Sequence, residues 1–197
     1  MNIALLGDSL IRWGLADCLS RTRFGVVFGA ISHEAGHEIA ESFVTEHQRA
    51  VQGGSFKQAI RVSDVALLGR PLSQVFNGSV AAEALTGKIL IDLNPVFTGL
   101  PQSQAEQEIA RLQNLLPETR IVVAYNPGQD PEAHSLEHRP KAVVLLGHID
   151  AMEIATAVLS AAGMEVVQTH AVSAASEEVA AERNHPENTL IRRKNHG

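Results

Sequence analysis

The segment Ser32–Glu38 (SHEAGHE) contains two histidines at the H-E-x-x-H spacing found in zinc peptidases. If the segment is helical, His33 and His37 lie one turn apart on the same face, and two imidazoles placed in this way can bind one zinc ion. A catalytic zinc site also needs a third protein ligand and an open cleft. The residues that follow the motif therefore decide whether it is a metal site.

The sequence after the motif offers no suitable third ligand. The position six residues beyond the second histidine is Phe43, and no aspartate or glutamate occurs between Glu46 and Asp64. His47 is the nearby imidazole, but on a continuous helix it would lie about 15 Å from His37 at 1.5 Å per residue. We therefore expect no metal site, and zinc peptidase activity is the least favoured of the functional hypotheses.

A second group of residues that could take part in binding or catalysis lies where apolar segments of the sequence end. These turns are rich in glycine, proline, asparagine and serine: Gly7-Asp8-Ser9, Ala30-Ile31-Ser32-His33, Gly69-Arg70-Pro71, Asn94-Pro95 and Asn126-Pro127-Gly128. If the apolar segments are parallel strands, their carboxyl ends meet at one edge of a sheet, where a ligand binds in folds of this class. Small residues at that edge predict a crevice for a nucleotide-like ligand.

The elements that position these turns are short apolar runs alternating with longer helical segments. The predicted strands are residues 2–7, 26–30, 64–69, 88–93, 120–124, 142–147 and 165–168. Because nearly continuous apolar strands flanked by helices are buried on both faces, they indicate a sheet that is mostly parallel. The predicted fold class is α/β, doubly wound, with three αβα layers.

Two of the intervening helices are clear from their apolar periodicity. The helix predicted over residues 102–116 has an apolar stripe of Ala105, Ile109, Leu112, Leu115 and Leu116. The later helix has a stripe of Met152, Ile154, Ala155, Val158 and Leu159. Both stripes are expected to pack on the sheet.

Composition limits the class of protein. With 197 residues of which 45% are apolar, the chain is long enough for one well-buried domain. A net charge of -6 and a pI near 5.8 argue against nucleic acid or an anionic membrane as the partner. No apolar run approaches a membrane span and the amino terminus has no basic segment before its apolar stretch, so a cytoplasmic location is expected. The single cysteine, Cys18, cannot form an internal disulfide and is expected to be a small core residue.

The order of the segments resembles the NADP oxidoreductases that depend on a deazaflavin, coenzyme F-420. The resemblance covers about the first 170 residues and rests on MNIALLG, GLADCL, VVFGA, AIRVSDVALLGRP, LTGKILIDLNP, LPETRIVVAYN and AVVLLGHIDAMEIATAVLSAAGMEVV. It implies one Rossmann domain over residues 1–170 that holds NADP, with NAD as the alternative. It also implies hydride transfer between the nicotinamide and a deazaflavin, a flavin or another small acceptor.

The family's dinucleotide fingerprint, G-x-G-x-x-G, is aligned with Gly7-Asp8-Ser9-Leu10-Ile11-Arg12, which retains only the first glycine. The resemblance implies that this backbone contacts the pyrophosphate. Ser9 is small enough to cap the helix or donate to phosphate. Asp8 would repel a phosphate, whereas Arg12 would either neutralise that charge or occupy the space of the cofactor.

The other four turns correspond to the two ends of the cofactor. In this alignment Ala30, Ser32 and His33 lie at the adenosine ribose, where the family has a serine and an arginine, and Ser32 is also a plausible helix cap. Glu34 could accept a hydrogen bond from a ribose hydroxyl, so NADP is only weakly preferred. The nicotinamide half is implied to lie along Gly69, Arg70, Pro71, Asn94, Pro95 and Asn126.

The last 27 residues depart from the family, whose members continue into apolar helices that complete the substrate site and often a dimer. Residues 171–197 are instead polar and are expected to form a tail that is partly helical or disordered. Two hypotheses stay open. The first is an NAD(P)-dependent oxidoreductase whose second substrate is held by a protein partner, by the second subunit of a homodimer, or by the loops at residues 95–101 and 127–140. The second is a non-catalytic dinucleotide-binding-like module that acts as a sensor or complex subunit. The catalytic residues are not identified.

Overall fold

The computed structural model of the protein describes residues 1–6, 9–69, 72–75, 83–93, 102–125 and 142–171, with only the backbone described for residues 9–13, 73, 74 and 102. Within these residues eight short segments are strands: β1 Asn2–Leu6, β2 Gly25–Ala30, β3 Gln52–Ser55, β4 Val65–Leu68, β5 Ile89–Asp92, β6 Arg120–Tyr125, β7 Ala142–Gly147 and β8 Glu165–Ala171. The helices with assigned bounds are α1 Ser9–Ser20, α2 His33–His47, α3 Phe56–Arg61, α4 Leu72–Val75, α5 Gln102–Leu115 and α6 Ile149–Ala161.

The strands form one sheet in the order β3-β2-β1-β4-β5-β6-β7-β8. The first six strands of this order are parallel, β7 is antiparallel to β6, and β8 is parallel to β7. The chain therefore starts in the middle of the sheet, builds outward through β3, and returns to build the other half from β4. This is the doubly wound arrangement predicted from the sequence.

Alternate residues of the central strands enter two separate cores. On one face, Ile3 and Leu5 pack in a core that also contains residues of α1, α2 and α6. On the other face, Ala4 and Leu6 pack in a core that contains residues of α3, α4 and α5. Because successive side chains of a strand point to opposite faces, fully apolar strands are what a sheet covered on both sides requires. The three αβα layers are confirmed.

Two features of the sheet differ from the sequence-based picture. Strand β3 was missed because Gln52–Ser55 contains no large apolar residue, although it pairs with β2 from Val27 to Ala30. Strands β7 and β8 also run opposite to the other six, so the carboxyl end of β7 lies at the opposite edge of the sheet. The turn after β7 is therefore not part of the predicted crevice.

Burial also corrects two residue-level predictions. Leu115 is 51% exposed, whereas Ala105, Ile109, Leu112 and Leu116 are buried as expected. The buried four follow steps of four and three residues, which keeps them on one side of α5, and Leu115 falls outside that stripe. Cys18 is only partly buried in α1. No helix among the described residues combines the length and the apolar character needed to cross a bilayer.

Candidate functional site

The candidate site lies at the carboxyl ends of the parallel strands, where the strand order reverses. Leu6 at the end of β1 pairs with Gly29 on one side and with Leu68 on the other. From β1 the chain continues to β2, which pairs with one side of β1, and β4 pairs with the other side of β1. A crevice opens at this kind of switch point because the connections diverge to the two faces of the sheet. Ligands in doubly wound folds bind there.

Helix α1 begins at this edge, shortly after β1 ends at Leu6. The amino terminus of a helix carries a partial positive charge and unpaired N–H groups, which suit a phosphate. Gly7 and Asp8 lie outside the described residues, and for Ser9, Leu10, Ile11 and Arg12 the description is limited to helical backbone. Their contact with a pyrophosphate therefore stays a prediction.

The turn after β2 is built around Ser32, the N-cap of α2. Its Oγ accepts a hydrogen bond from the N–H of Ala35 at 3.1 Å, which confirms the predicted capping role. The backbone N–H of Glu34 and the Ser32 hydroxyl together hold the pKa of the Glu34 carboxyl below its usual value. At the start of the helix the Ser32 hydroxyl therefore accepts one hydrogen bond, from Ala35, and donates another, to the Glu34 carboxylate.

His33, the first residue of α2, is exposed and contacts a residue far away in sequence. Its Nδ1 lies 3.0 Å from Oε1 of Gln58 in α3. The same oxygen accepts from the backbone N–H of Ser55 at 2.9 Å, and Ser55 and Gln58 form the capping box of α3. Gln58 was not identified from the sequence, although the S-x-x-Q spacing over residues 55–58 is a signature of a helix start.

The two histidines of the H-E-x-x-H motif have different partners, Gln58 for His33 and Glu41 for His37. The His33 and His37 rings are nearly parallel with centroids 6.4 Å apart, and His37 Nε2 lies 3.2 Å from a carboxylate oxygen of Glu41. Helix α2 continues without interruption to His47, whose ring stacks on Phe43 with centroids 4.3 Å apart. Among the described residues, no group of three or more histidine, cysteine or acidic side chains could hold a metal ion.

The glycine inside the motif has a packing role. A β-carbon on Gly36 would lie 2.1 Å from the carbonyl oxygen of Gly54, and one on Gly53 would lie 1.9 Å from the carbonyl oxygen of Gly36. Such distances are far below van der Waals contact, so α2 and β3 can approach this closely only because these positions are glycine. This contact holds the start of α2 beside the start of α3 and so brings His33 to Gln58.

At the other half of the crevice, Gly69 directly follows β4. Its backbone N–H donates to the carbonyl of Leu6 at 2.8 Å, so it lies directly beside the end of β1. Ala30, at the end of β2, lies at the same edge on the opposite side of β1. The remaining predicted residues of the nicotinamide half lie outside the described residues: Arg70, Pro71, Asn94, Pro95 and Asn126.

Two residues next to those asparagines were not singled out from the sequence. Asp92 ends β5 and is 1% exposed, and Tyr125 ends β6 and is 5% exposed. Burial raises the pKa of the Tyr125 phenol, and the charge of Glu106 raises it further. An acidic residue inside an apolar strand, as in the sequence ILIDL, is the signal that could have identified Asp92, because a buried carboxylate needs a specific partner.

A groove of about 620 Å³ lies on the outer side of the same region and is not the crevice. It follows α2 toward its carboxyl end and is lined by His37 and Val44 of α2, by Val51 just before β3, and by Gln52 and Gly53 of β3. Ser32 and His33 do not line it. The switch-point edge, rather than this groove, therefore collects the residues predicted from the turns.

Comparison with known proteins gives matches in structure only. No protein-family model and no curated protein matches the sequence. A protein from Arthrobacter sp. FB24 assigned as an F420-dependent NADP reductase is similar over 93% of this chain and 90% of its own, with 22% identity and a TM-score of 0.59. An imine reductase of Bacillus cereus is similar over 92% of this chain, with 12% identity and a TM-score of 0.60.

A pyrroline-5-carboxylate reductase of Coxiella burnetii is similar over 91% of this chain, with 17% identity and a TM-score of 0.51. The chain spans 58% of the length of the imine reductase and 62% of the length of the pyrroline-5-carboxylate reductase. At these identities the similarity concerns the fold. Together with the strand order, it shows that the protein has the Rossmann-like α/β fold that solved reductases and dehydrogenases share.

Proposed function

We propose that the protein binds a nicotinamide dinucleotide in the switch-point crevice and acts as an oxidoreductase. The donor in this proposal is NADPH, with NADH as the alternative, and the acceptor is a deazaflavin, a flavin or another small molecule. We also propose that the protein is related to the deazaflavin-dependent family and that it is located in the cytoplasm. Similarity in fold to the Arthrobacter protein over nearly the full length of both chains supports this choice.

The observation that carries the proposal is the meeting of three turns at one edge of the sheet. The start of α1, the Ser32–His33 turn and Gly69 all follow strands that neighbour one another in the order β2-β1-β4. In a Rossmann fold these positions correspond to the pyrophosphate, the adenosine ribose and the nicotinamide half. The meeting of these turns at one edge supports the binding of a dinucleotide there.

In this proposal each predicted residue has a defined part. The backbone of residues 7–11 contacts the pyrophosphate, within a first turn that comprises Gly7, Asp8, Ser9, Leu10, Ile11 and Arg12. The ribose lies against Ala30, Ser32 and His33. The nicotinamide half lies against Gly69, Arg70, Pro71, Asn94, Pro95 and Asn126. The cofactor supplies the hydride when bound, and the protein mainly orients it, which does not require an acid or a base.

The experiment that tests cofactor binding uses Trp13, the only tryptophan, which lies on α1. The protein is titrated with NADPH and then with NADH while Trp13 fluorescence and energy transfer to the reduced nicotinamide are followed. Saturable quenching in the micromolar range, stronger for one cofactor, supports the proposal. No response up to millimolar cofactor, with a folded protein verified by circular dichroism, contradicts it.

A second candidate function is a dinucleotide-binding module without turnover, working as a sensor or as a subunit of a larger complex. The retention of Gly7 as the only fingerprint glycine and the carboxylate of Asp8 favour it. The two candidates differ in one measurement. If the protein binds NADPH but never oxidises it with deazaflavin, flavin or ferric acceptors, the module is the better description.

A further inference from the structure

The hydrogen bonds around Gln58 determine which atom of its amide faces His33. The backbone N–H of Ser55 can only donate, and it points at Oε1 of Gln58 from 2.9 Å. The reversed amide would direct an N–H group of Gln58 against this N–H group. The oxygen is therefore oriented by the capping box of α3, independently of His33.

The position of this oxygen in turn determines where His33 carries its proton. Nδ1 of His33 lies 3.0 Å from Oε1, and two lone pairs at that distance would repel each other. Nδ1 must therefore be the N–H donor of this contact. In the neutral ring Nε2 is then the unprotonated nitrogen, and the described part of the chain offers it no hydrogen-bond partner.

We propose that Gln58 is a positioning residue that holds His33 in its Nδ1–H form. The protonation state of His33 then determines whether the site prefers the 2′-hydroxyl of NAD or the 2′-phosphate of NADP. Neutral His33 accepts a hydrogen bond at Nε2 from the 2′-hydroxyl of NAD. Protonated His33 donates from Nε2 to the 2′-phosphate of NADP. This inference rests on the proposed function and adds a residue and a selection rule to it.

The titratable and charged groups near the His33 ring come from α2 and α3. On α2, Glu34 follows His33 directly in the sequence. The His37 ring is stacked on that of His33, with ring centroids 6.4 Å apart. From β3 and α3, the groups in contact with the ring are the neutral Gln58 and, through it, Ser55. The cations of α3 are Lys57 and Arg61.

The first test needs no cofactor. Nitrogen-15 NMR of the ring distinguishes a protonated Nδ1 from a protonated Nε2, with His33→Ala used to assign the signal. We expect His33 of the wild-type protein to be in the Nδ1–H form at alkaline pH, and Gln58→Ala to release it to a mixture of forms. A dominant Nε2–H form in the wild-type protein would overturn the inference.

The second test measures dissociation constants of NADP and NAD by calorimetry across the pH range in which histidines titrate. We expect the preference for NADP over NAD to decrease as pH rises in the wild-type protein, and this trend to vanish in His33→Ala. In Gln58→Ala, binding of NAD should weaken about three- to tenfold at alkaline pH, which corresponds to one hydrogen bond, while binding of NADP changes less, so the ratio of the two dissociation constants should change there. Gln58→Glu should retain the acceptor and extend the NADP preference to higher pH, because a carboxylate stabilises the protonated ring.

Ser55→Ala serves as the structural control because it removes the cap hydroxyl while the Ser55 N–H and Gln58 remain. If Ser55→Ala changes the NADP preference as much as Gln58→Ala does, the effect comes from loss of α3 and the inference is wrong. It is also wrong if both nucleotides bind and Gln58→Ala leaves their ratio unchanged at every pH. If neither nucleotide binds to any variant, the ribose role fails together with the proposed function, while the NMR result still reports on Gln58.

Discussion

At the scale of single residues, Gly36 shows that a motif typical of metal sites can instead serve helix packing. In the H-E-x-x-H pattern it occupies a variable position, but its backbone lies against that of Gly54. The two histidines of the motif contact different residues: His33 contacts Gln58, and His37 contacts Glu41. The segment is thus the point where α2 starts and packs against β3.

We expect Gly36→Ala to destabilise the protein by about 1 to 2 kcal/mol. The new methyl group must push α2 away from β3, which costs about 1 to 3 kcal/mol, and only part of this is offset by the better helix propensity of alanine. Urea unfolding measures the change, and Thr45→Ala on the exposed side of α2 is the control. An alanine variant as stable as the wild-type protein would contradict the close contact.

Tyr125 permits a direct test of its environment because it is the only tyrosine. Burial raises the pKa of its phenol in the folded protein, with a further contribution from Glu106. As pH rises past the ordinary value of about 10, the unfolded chain loses its phenol proton first, so stability falls until the folded pKa is passed. The tyrosinate absorbance should titrate at higher pH in the native than in the denatured protein, and Tyr125→Phe should lose less stability between pH 9 and 11 (about one unit on each side of that value).

At the scale of elements, the starts of α2 and α3 form one hydrogen-bonded unit although 25 residues separate His33 from Gln58. Ser32 caps α2, Ser55 and Gln58 cap α3, and the His33 imidazole joins the two caps. Capping makes the position of a helix start reproducible because it satisfies N–H groups that have no partner within the helix. A ligand at this edge would therefore meet preorganised groups.

We expect Ser32→Ala to lower the free energy of unfolding by about 1 kcal/mol, the usual effect of removing an N-cap. The same change should raise the pKa of Glu34 toward its ordinary value, because the carboxylate loses the hydroxyl that donates to it. Urea unfolding and carboxyl NMR measure the two effects. Ser42→Ala, which removes an exposed hydroxyl in the middle of α2, should produce neither.

At the scale of the whole molecule, the reversal of β7 and β8 separates two similar histidines. His33 follows β2 at the crevice edge. His148 follows β7 at the opposite edge, where its backbone N–H donates to the carbonyl oxygen of Ile121 near the start of β6. Both side chains are exposed at the start of a helix, and that of His148 makes no capping hydrogen bond. They form a matched pair for testing where a ligand binds.

We expect His33→Ala to weaken NADPH binding about tenfold or more and His148→Ala to leave it unchanged, because a hydrogen bond to a charged group contributes about 1.5 kcal/mol or more. Calorimetric titration of the two variants provides the measurement. Equal effects of both substitutions would mean that the cofactor does not bind at the β2 edge.

The sheet should also differ in stability from its centre to its ends. Residues Ile3 to Leu6 of β1 are at most 1% exposed, whereas most residues of β8 are exposed. Amide hydrogen exchange should therefore be slowest in β1 and β4 and fastest in β8 among the described strands. Comparable protection of β8 and β1 would indicate that something covers β8 in solution.

The sequence by itself determined the alternation of strands and helices, because hydrophobic periodicity is a local property that each segment carries on its own. Seven of the eight described strands, the three layers and the Ser32 cap could be predicted in this way. The sequence also directed attention to the correct edge, since the carboxyl ends of parallel strands must meet there.

Tertiary structure decided what depends on partners distant in the chain. Gln52–Ser55 is a strand because β2 supplies its hydrogen bonds and Gly36 lets α2 lie close to it, and neither cause is visible in the segment itself. The direction of β7 likewise depends on pairing with β6 rather than on its own composition. The contact between His33 and Gln58 exists only because these long-range contacts bring two helix starts together, so local pattern could not have revealed it.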